Sequence, residues 1–260
     1  MTKWPSIFVG HGSPGMILER AAARDFLAGL GRQMGKPKAI LVATAHWETG
    51  APSVGAADKP ETIHDFFGFP QELYRIVYPA SGAPEVAVRA QTLLNEAGFD
   101  AALDHARGLD HGAWSPLYLM YPDADVPVTQ ISLQPRRGPG YHLSIGRALE
   151  PLRAEGVLVM GSGAITHNLQ DFGRYDLNDP PAAYAAEFDS WVRDAVTRGD
   201  TDAVVDYRQR APHAARNQPS EEHFLPLLVA MGAGGEGAKG RTLHAGFTYG
   251  FLSMAAYAFD

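Results

Sequence analysis

The chain of 260 residues contains no cysteine, and that one absence removes disulfides, thiolate zinc sites, iron–sulfur clusters and cysteine nucleophiles together. Any metal must then be held by His, Asp or Glu. Positive charge is also scarce: 22 Lys and Arg against 29 Asp and Glu leave a net charge of −7. The basic residues are scattered rather than gathered into a stripe, which argues against nucleic acid, whose phosphates demand a basic face. No apolar run approaches the ~18 residues that a membrane span needs. The opening Met1-Thr2-Lys3-Trp4-Pro5 has none of the apolar core of a signal peptide. The expectation is a cytoplasmic protein whose partner is neither nucleic acid nor membrane. Repeats, heptads and low-complexity linkers are missing too.

What is present reads as one globular unit. Apolar residues make up 45% and charged residues 20%, an ordinary soluble composition. The length suits a single large domain, residues 1–260, better than two ordinary ones. Apolar runs at 6–9, 38–45, 126–133, 156–160 and 246–254 read as strands. Helical stretches fall at 19–34, 84–97, 141–155, 181–198 and 220–231, and a long aromatic loop spans 47–82. Strands alternating with helices predict an α/β domain with a largely parallel (mixed) central sheet flanked by helices.

Ten histidines are available, and their placement matters more than their number. His11, His46 and His167 each sit at, or a few residues past, the carboxyl end of a predicted strand. That edge is where open α/β sheets bind ligands, because the chain diverges there and leaves a crevice. One such residue would usually cap a turn; three sharing the placement suggest a common site. His223 lies in Pro219-Ser220-Glu221-Glu222-His223-Phe224-Leu225, which reads as a helix start with Ser220 as N-cap. A histidine there is either a solvated first-turn residue or a neutral imidazole suited to a metal. His111 occupies a turn-rich segment, where Asp110 is placed to hold one of its ring nitrogens. His64, Phe66 and Phe67 belong to the aromatic loop, a candidate lid or pocket wall. His105, His142, His213 and His244 read as structural or surface residues.

Two tempting motifs fail. Gly10-His11-Gly12-Ser13-Pro14-Gly15 matches the dinucleotide-binding G-x-G-x-x-G. No acid follows at the required distance of ~20 residues, and Pro14 removes an N–H that a pyrophosphate would use. Gly161-Ser162-Gly163 does not complete the G-x-S-x-G of a serine hydrolase.

Taken in order, several motifs resemble the class III extradiol ring-cleavage dioxygenases, in particular their DOPA 4,5-dioxygenase-like branch. They are Gly10-His11-Gly12-Ser13-Pro14, Thr44-Ala45-His46-Trp47-Glu48, and the stretch from Thr62-Ile63-His64-Asp65-Phe66-Phe67-Gly68-Phe69-Pro70 to Tyr78-Pro79-Ala80. Gly108-Leu109-Asp110-His111-Gly112-Ala113-Trp114, Tyr121-Pro122-Asp123-Ala124-Asp125, Gly161-Ser162-Gly163 to His167-Asn168-Leu169, and Glu222-His223-Phe224-Leu225-Pro226 complete the set. The resemblance implies a metal held at the sheet edge by His11, His46 and His223. It also implies His167 as fourth ligand or acid/base, and His111 in the substrate pocket. Protocatechuate-cleaving members use two histidines and a carboxylate, whereas the third position here reads as His223, with Glu222 beside it.

Ring opening of a catechol with O₂ requires a redox metal, so the resemblance implies Fe(II), although three imidazoles also suit Zn(II). Chelating the catechol requires a base, for which His167 is the candidate, and His111 is placed to stabilise developing negative charge. The expected partners are therefore a small-molecule catechol and O₂. Two other readings share the ligand set: a zinc-dependent hydrolase, and a non-enzymatic binding module like the Memo-like proteins. Arg75, Arg107, Arg136, Arg137 and Arg216 are candidates to pair with a substrate carboxylate, with solvated surface charge as the simpler reading.

Overall fold

The structure, a computed structural model, describes residues 3–260. Ten strands form: β1 (Ser6–Gly10), β2 (Ala39–Glu48), β3 (Ser53–Gly55), β4 (Ala102–Asp104), β5 (Val128–Leu133), β6 (Val157–Gly163), β7 (Gly240–His244), β8 (Phe247–Thr248), β9 (Leu252–Ser253) and β10 (Ala256–Phe259). Eight of them build one sheet in the order β4-β3-β5-β2-β6-β1-β10-β7. Its centre, β5-β2-β6-β1, is parallel, and β10 and β7 extend it antiparallel. β3 joins β5 antiparallel and pairs with β4 in parallel. The mixed α/β architecture is as the sequence predicts.

Helices α1 (Ala22–Met34), α2 (Pro84–Glu96), α3 (His111–Met120), α4 (Gly138–Leu149), α5 (Pro151–Ala154) and α6 (Ala183–Arg198) are followed by three short ones. These are α7 (Thr201–Val205), α8 (Tyr207–Arg210) and α9 (Ala214–Asn217); α10 (Leu225–Gly234) closes the series. The central strands are buried on both faces, so their apolar runs are continuous rather than alternating. Successive side chains nevertheless enter different cores. Ile7 and Val9 pack with Leu27 of α1 and Leu117 of α3, while Phe8 packs with Phe188 of α6 and Leu228 of α10.

Four expectations are corrected. β2 runs on through His46 to Glu48, so His46 lies in the strand and not after it. The helix expected at 220–231 starts at Leu225, because Pro226 pre-sets its first turn; Ser220 donates to Glu222 instead of capping it. His223 therefore sits in the turn ahead of the helix. The stretch 246–254 is no strand of the main sheet. Tyr249 (φ 53) and Gly250 (φ 61) reverse the chain there into the β8–β9 hairpin, and the main sheet is completed by β10, beside β1, and by β7 at its edge. The segment around His111, read as a turn, is helix α3. Gly112, Ser115 and Pro116 are poor helix formers, but the helix is buried nearly all round and is held by packing, with no amphipathic stripe to betray it.

One close contact positions the future site. A Cβ on Gly161 would lie 2.1 Å from the Pro226 carbonyl oxygen, and one on Gly163 2.2 Å from that of His223. Only glycine lets the start of α10, and the turn carrying His223, approach β6 this closely. Gly161→Ala is expected to cost about 1–3 kcal/mol of stability by overpacking. Gly29→Ala, on the helical stretch of α1 where the new Cβ meets only Gln33 Nε2 at 3.7 Å, should gain up to about 1 kcal/mol. Urea unfolding of both variants checks this; an undiminished Gly161→Ala midpoint would show that the close approach is not obligatory.

Candidate metal centre

His11 follows β1 directly, His46 comes from the end of β2, and His223 from the turn packed on β6. One ring nitrogen from each lies within 4.8 Å of the other two. Their other nitrogens are all engaged. Ser162 Oγ donates to the Gly112 carbonyl, so it can only accept from His11 Nδ1, 3.0 Å away. Asp65 Oδ2 stands 3.4 Å from His46 Nδ1, and Glu222 Oε1 accepts from His223 Nδ1 at 3.0 Å. The two hydrogen bonds place a proton on Nδ1 of His11 and His223, the nearby Asp65 carboxylate favours the same tautomer in His46, and each Nε2 is then left with its lone pair free. The Nε2 atoms of His11 and His46 are 3.2 Å apart, and His223 Nε2 is buried with no partner. Facing lone pairs and an orphaned buried nitrogen fit a divalent cation.

Electrostatics favours the ligating form. Burial, and then the neighbouring imidazoles, push His11 and His223 well below the usual histidine range. Burial and then His111 push His46 down to about 3, against the pull of Asp65. Neutral imidazole is the state that binds metal.

Around the triad lies a supporting network that the motifs only partly foretell. Asp110 caps α3, accepting from the Ala113 N–H, and is buried. It also accepts from Thr44 Oγ1 on β2 (2.7 Å), Gln130 Nε2 on β5 (2.6 Å) and Arg107 Nη2 (2.9 Å). Asp110 was expected to hold the His111 ring. Asp65 stands there instead, accepting from the His111 backbone N–H at 2.9 Å, with Oδ1 also 3.0 Å from Nδ1. Burial raises the Asp65 pKa, but contacts with His111 outweigh that and hold it at about 2. Gln130 carried no signal in the sequence, and Ser162 stood out only within Gly161-Ser162-Gly163 and not as a partner of His11, because both roles depend on contacts between distant strands.

His167 lies four residues past β6, outside the triad. Its ring stacks on that of His223, with centroids 3.4 Å apart and planes 13° apart, and it groups with Glu222 and His223. Burial, the largest effect, brings it down to about 4. Triad, His111 and His167 share a cavity of about 550 Å³, within the range of small-molecule sites. Phe66, Phe67, Phe69, Leu169 and Phe172 supply its apolar lining. His64, expected in that wall, stands behind it: its Nε2 meets the Ile76 carbonyl at 2.9 Å and its ring packs against Phe66. His142 is buried and accepts from the Gln134 N–H, His105 is exposed, His213 pairs with Glu187 and His244 stacks on Phe26.

A family model described as the catalytic LigB subunit of aromatic ring-opening dioxygenase matches residues 21–260. The chain is 45% identical over 258 residues to the 4,5-DOPA dioxygenase extradiol of Beta vulgaris, covering 98% of this chain and 96% of that one. The protein of the same name from Escherichia coli (strain K12) is 39% identical over 236 residues, covering 89% and 86%. A crystal structure of an uncharacterized protein from Escherichia coli K12 superposes with a TM-score of 0.82 at 31% identity, covering 99% of this chain and 100% of that one.

Two outcomes follow from the geometry. Ser162→Ala removes the group that fixes the His11 tautomer and should weaken metal binding by about 10–100-fold, measured by competition with a chelator; unchanged affinity would exclude Ser162 from that role. The buried imidazoles also set a pH dependence. Unfolded histidines protonate near pH 6.5, whereas His167 and His142 in the fold hold out to about 4 and His46 to about 3. The unfolded chain therefore binds more protons in that interval, and stability falls as pH drops from about 6.5 towards 4. Denaturant midpoints of metal-free protein at several pH values test this. A midpoint that rises on acidification would contradict it.

Proposed function

The chain belongs to the LigB family of aromatic ring-opening dioxygenases and is an extradiol-type ring-cleaving oxidoreductase; from that premise we propose that it opens a catechol, DOPA-like or related, with O₂ at the His11–His46–His223 centre. The observation that carries this reading is the set of three tautomer-fixed imidazoles turned on one point at the floor of a cavity large enough for an aromatic ring. His11, His46 and His223 would hold Fe(II), with Zn(II) a competitor for the same neutral donors. Bound there, Fe(II) would supply the redox chemistry that lets O₂ react with a catechol's electrons, which zinc lacks.

The chain's own residues account for the remaining requirements. His167, neutral at pH 7 because it is buried, has a lone pair to take a phenolic proton, and the imidazolium so formed can return it when the O–O bond breaks. Its stack on His223 makes it a neighbour of the triad, which favours the acid/base role over a fourth ligand. His111, held by Asp65 at the start of α3, is positioned to donate to a substrate oxygen as negative charge builds there. Phe66 and Phe67 supply walls for the ring and limit water, while His64 acts only by bracing Phe66.

Protein loaded anaerobically with Fe(II) should consume one O₂ per catechol, and zinc-loaded protein should consume none. Hydrolysis of an ester or amide by the zinc form, without oxygen uptake, would favour the hydrolase reading. His167→Gln should retain its metal and lose about 10²–10⁴ in turnover. Near-normal turnover in a fully metallated His167→Gln protein would remove the proton-transfer role.

A further inference from the structure

Among the described residues, His167 is the one proposed reactive group whose ring no hydrogen bond orients. His11, His46, His111 and His223 each have a hydroxyl or carboxylate beside a ring nitrogen. The His167 ring has only its face, laid on His223 with the two planes 13° apart. A proton acceptor must stand within hydrogen-bond reach of the proton it takes. The aim of this ring therefore has to come from the backbone that carries it.

That backbone is bonded residue by residue. Gln218 Nε2 donates to the carbonyls of Ala164 (2.8 Å) and Ile165 (2.9 Å). Thr166 Oγ1 donates to the Phe251 carbonyl and accepts from the Ser253 N–H, both at 2.7 Å. The His167 N–H donates to the Asn217 carbonyl at 2.8 Å. Past His167, the Asn168 side chain accepts from the Gln170 N–H at 3.3 Å, and its carbonyl accepts from the Asp171 N–H at 3.0 Å, closing the single turn Leu169–Asp171. Thr166, Asn217 and Gln218 are fully buried, so these bonds are sheltered from competing water.

Both flanks of His167 converge on one carboxylate. Asp171 is 2% exposed and accepts from Tyr184 Oη of α6 at 2.5 Å, Arg174 Nη1 at 2.7 Å and Asn168 Nδ2 at 3.4 Å. Arg216 of α9 stands 3.8 Å from it and lies over the Tyr184 ring, 3.7 Å from its centroid. The Tyr184 carbonyl in turn accepts from Asn217 Nδ2 at 3.1 Å. The links close a ring from Asp171 through Tyr184, Asn217, His167 and Asn168 back to Asp171. Arg216, a candidate substrate partner by sequence, belongs to this ring, and neither it nor the other four arginines of that set lines the cavity. A three-residue turn already capped by Asn168 needs no buried charge, and a buried charge is costly unless it is paired and hydrogen-bonded.

We propose that Asp171 is a positioning residue for His167: by joining α6, α9 and the Leu169–Asp171 turn, it fixes the backbone on both sides of His167 and keeps that ring stacked on His223. Asp171 does not line the cavity and touches no reacting atom. The proposal rests on the acid/base role given to His167 above.

Asp171→Asn keeps the shape and can still accept from Tyr184, but it lacks the charge that Arg174 and Arg216 hold. The first readout is the histidine-ring proton–carbon NMR spectrum of Zn(II)-loaded protein, with the His167 signals assigned by their absence from His167→Gln. In Asp171→Asn those signals should move downfield as the stack on His223 opens. Tyr184→Phe, which removes one arm of the ring and leaves the charge pairs, should move them less in the same direction. The second readout is oxygen uptake with a catechol by Fe(II)-loaded protein. Asp171→Asn should lower turnover at least roughly tenfold, the scale of a misplaced reactive group. In a His167→Gln background the same change should cost less than about twofold, because groups that act as a unit do not add. Unmoved His167 signals in both variants, or an equal fractional loss of turnover in both backgrounds, overturns the proposal. If the signals move while no form of the protein consumes O₂, the positioning stands and the ring-opening reading falls.

Discussion

Imidazoles buried together repel one another as soon as any of them takes a proton, and as neutral rings they still repel wherever lone pairs meet. His11 and His46 bring two Nε2 atoms to 3.2 Å, with an unpartnered His223 Nε2 beside them. A fold has no reason to assemble such a cluster unless a cation resolves it, since each unsatisfied buried nitrogen costs about 1–3 kcal/mol. Much else in the molecule serves this cluster. Ser162, Asp65 and Glu222 fix the three tautomers, and Gly161 and Gly163 let His223 reach the sheet. The metal-dependent family to which the chain belongs gives that cation its reason.

The parallel centre of the sheet matters because it lines up the carboxyl ends of β1, β2 and β6, from which His11, His46 and His167 emerge. Asp110 ties the same edge together from the other side, joining β2, β5 and α3 through Thr44, Gln130 and its capping bond. The aromatic loop after β2 then folds over this edge. The burial that keeps His167 neutral, as the proposed proton-transfer role requires, also makes the fold sensitive to acid.

Much of this was legible in the residues themselves, though unevenly. Strands with continuous apolar runs, such as 38–45, declare buried parallel strands, and a histidine at their ends declares a crevice. The family motifs added His223, which periodicity alone left open. Helix α3 stayed hidden because Gly112 and Pro116 oppose helix formation and burial on all sides erases its periodicity. Strand β10 was missed because Ala256-Tyr257-Ala258-Phe259 is short and follows a hairpin whose own apolar run imitates a strand. The exchange of Asp110 for Asp65 as the partner of His111 illustrates the limit most clearly. Sequence adjacency suggested the first, and only the fold of the aromatic loop brings the second across 46 positions.

Two further groups of side chains share members with the triad: His46, Asp65 and His111 on one side, and His167, Glu222 and His223 on the other. Each has a carboxylate and would draw a cation away from the three imidazoles if charge alone decided. Anomalous diffraction from crystals of metal-loaded protein therefore tests the central claim most directly. The account predicts one strong peak within ligand distance of His11, His46 and His223, with Asp65 and Glu222 still on the Nδ1 atoms of their histidines. A peak centred among His46, Asp65 and His111, or on Glu222 and His167, would contradict it.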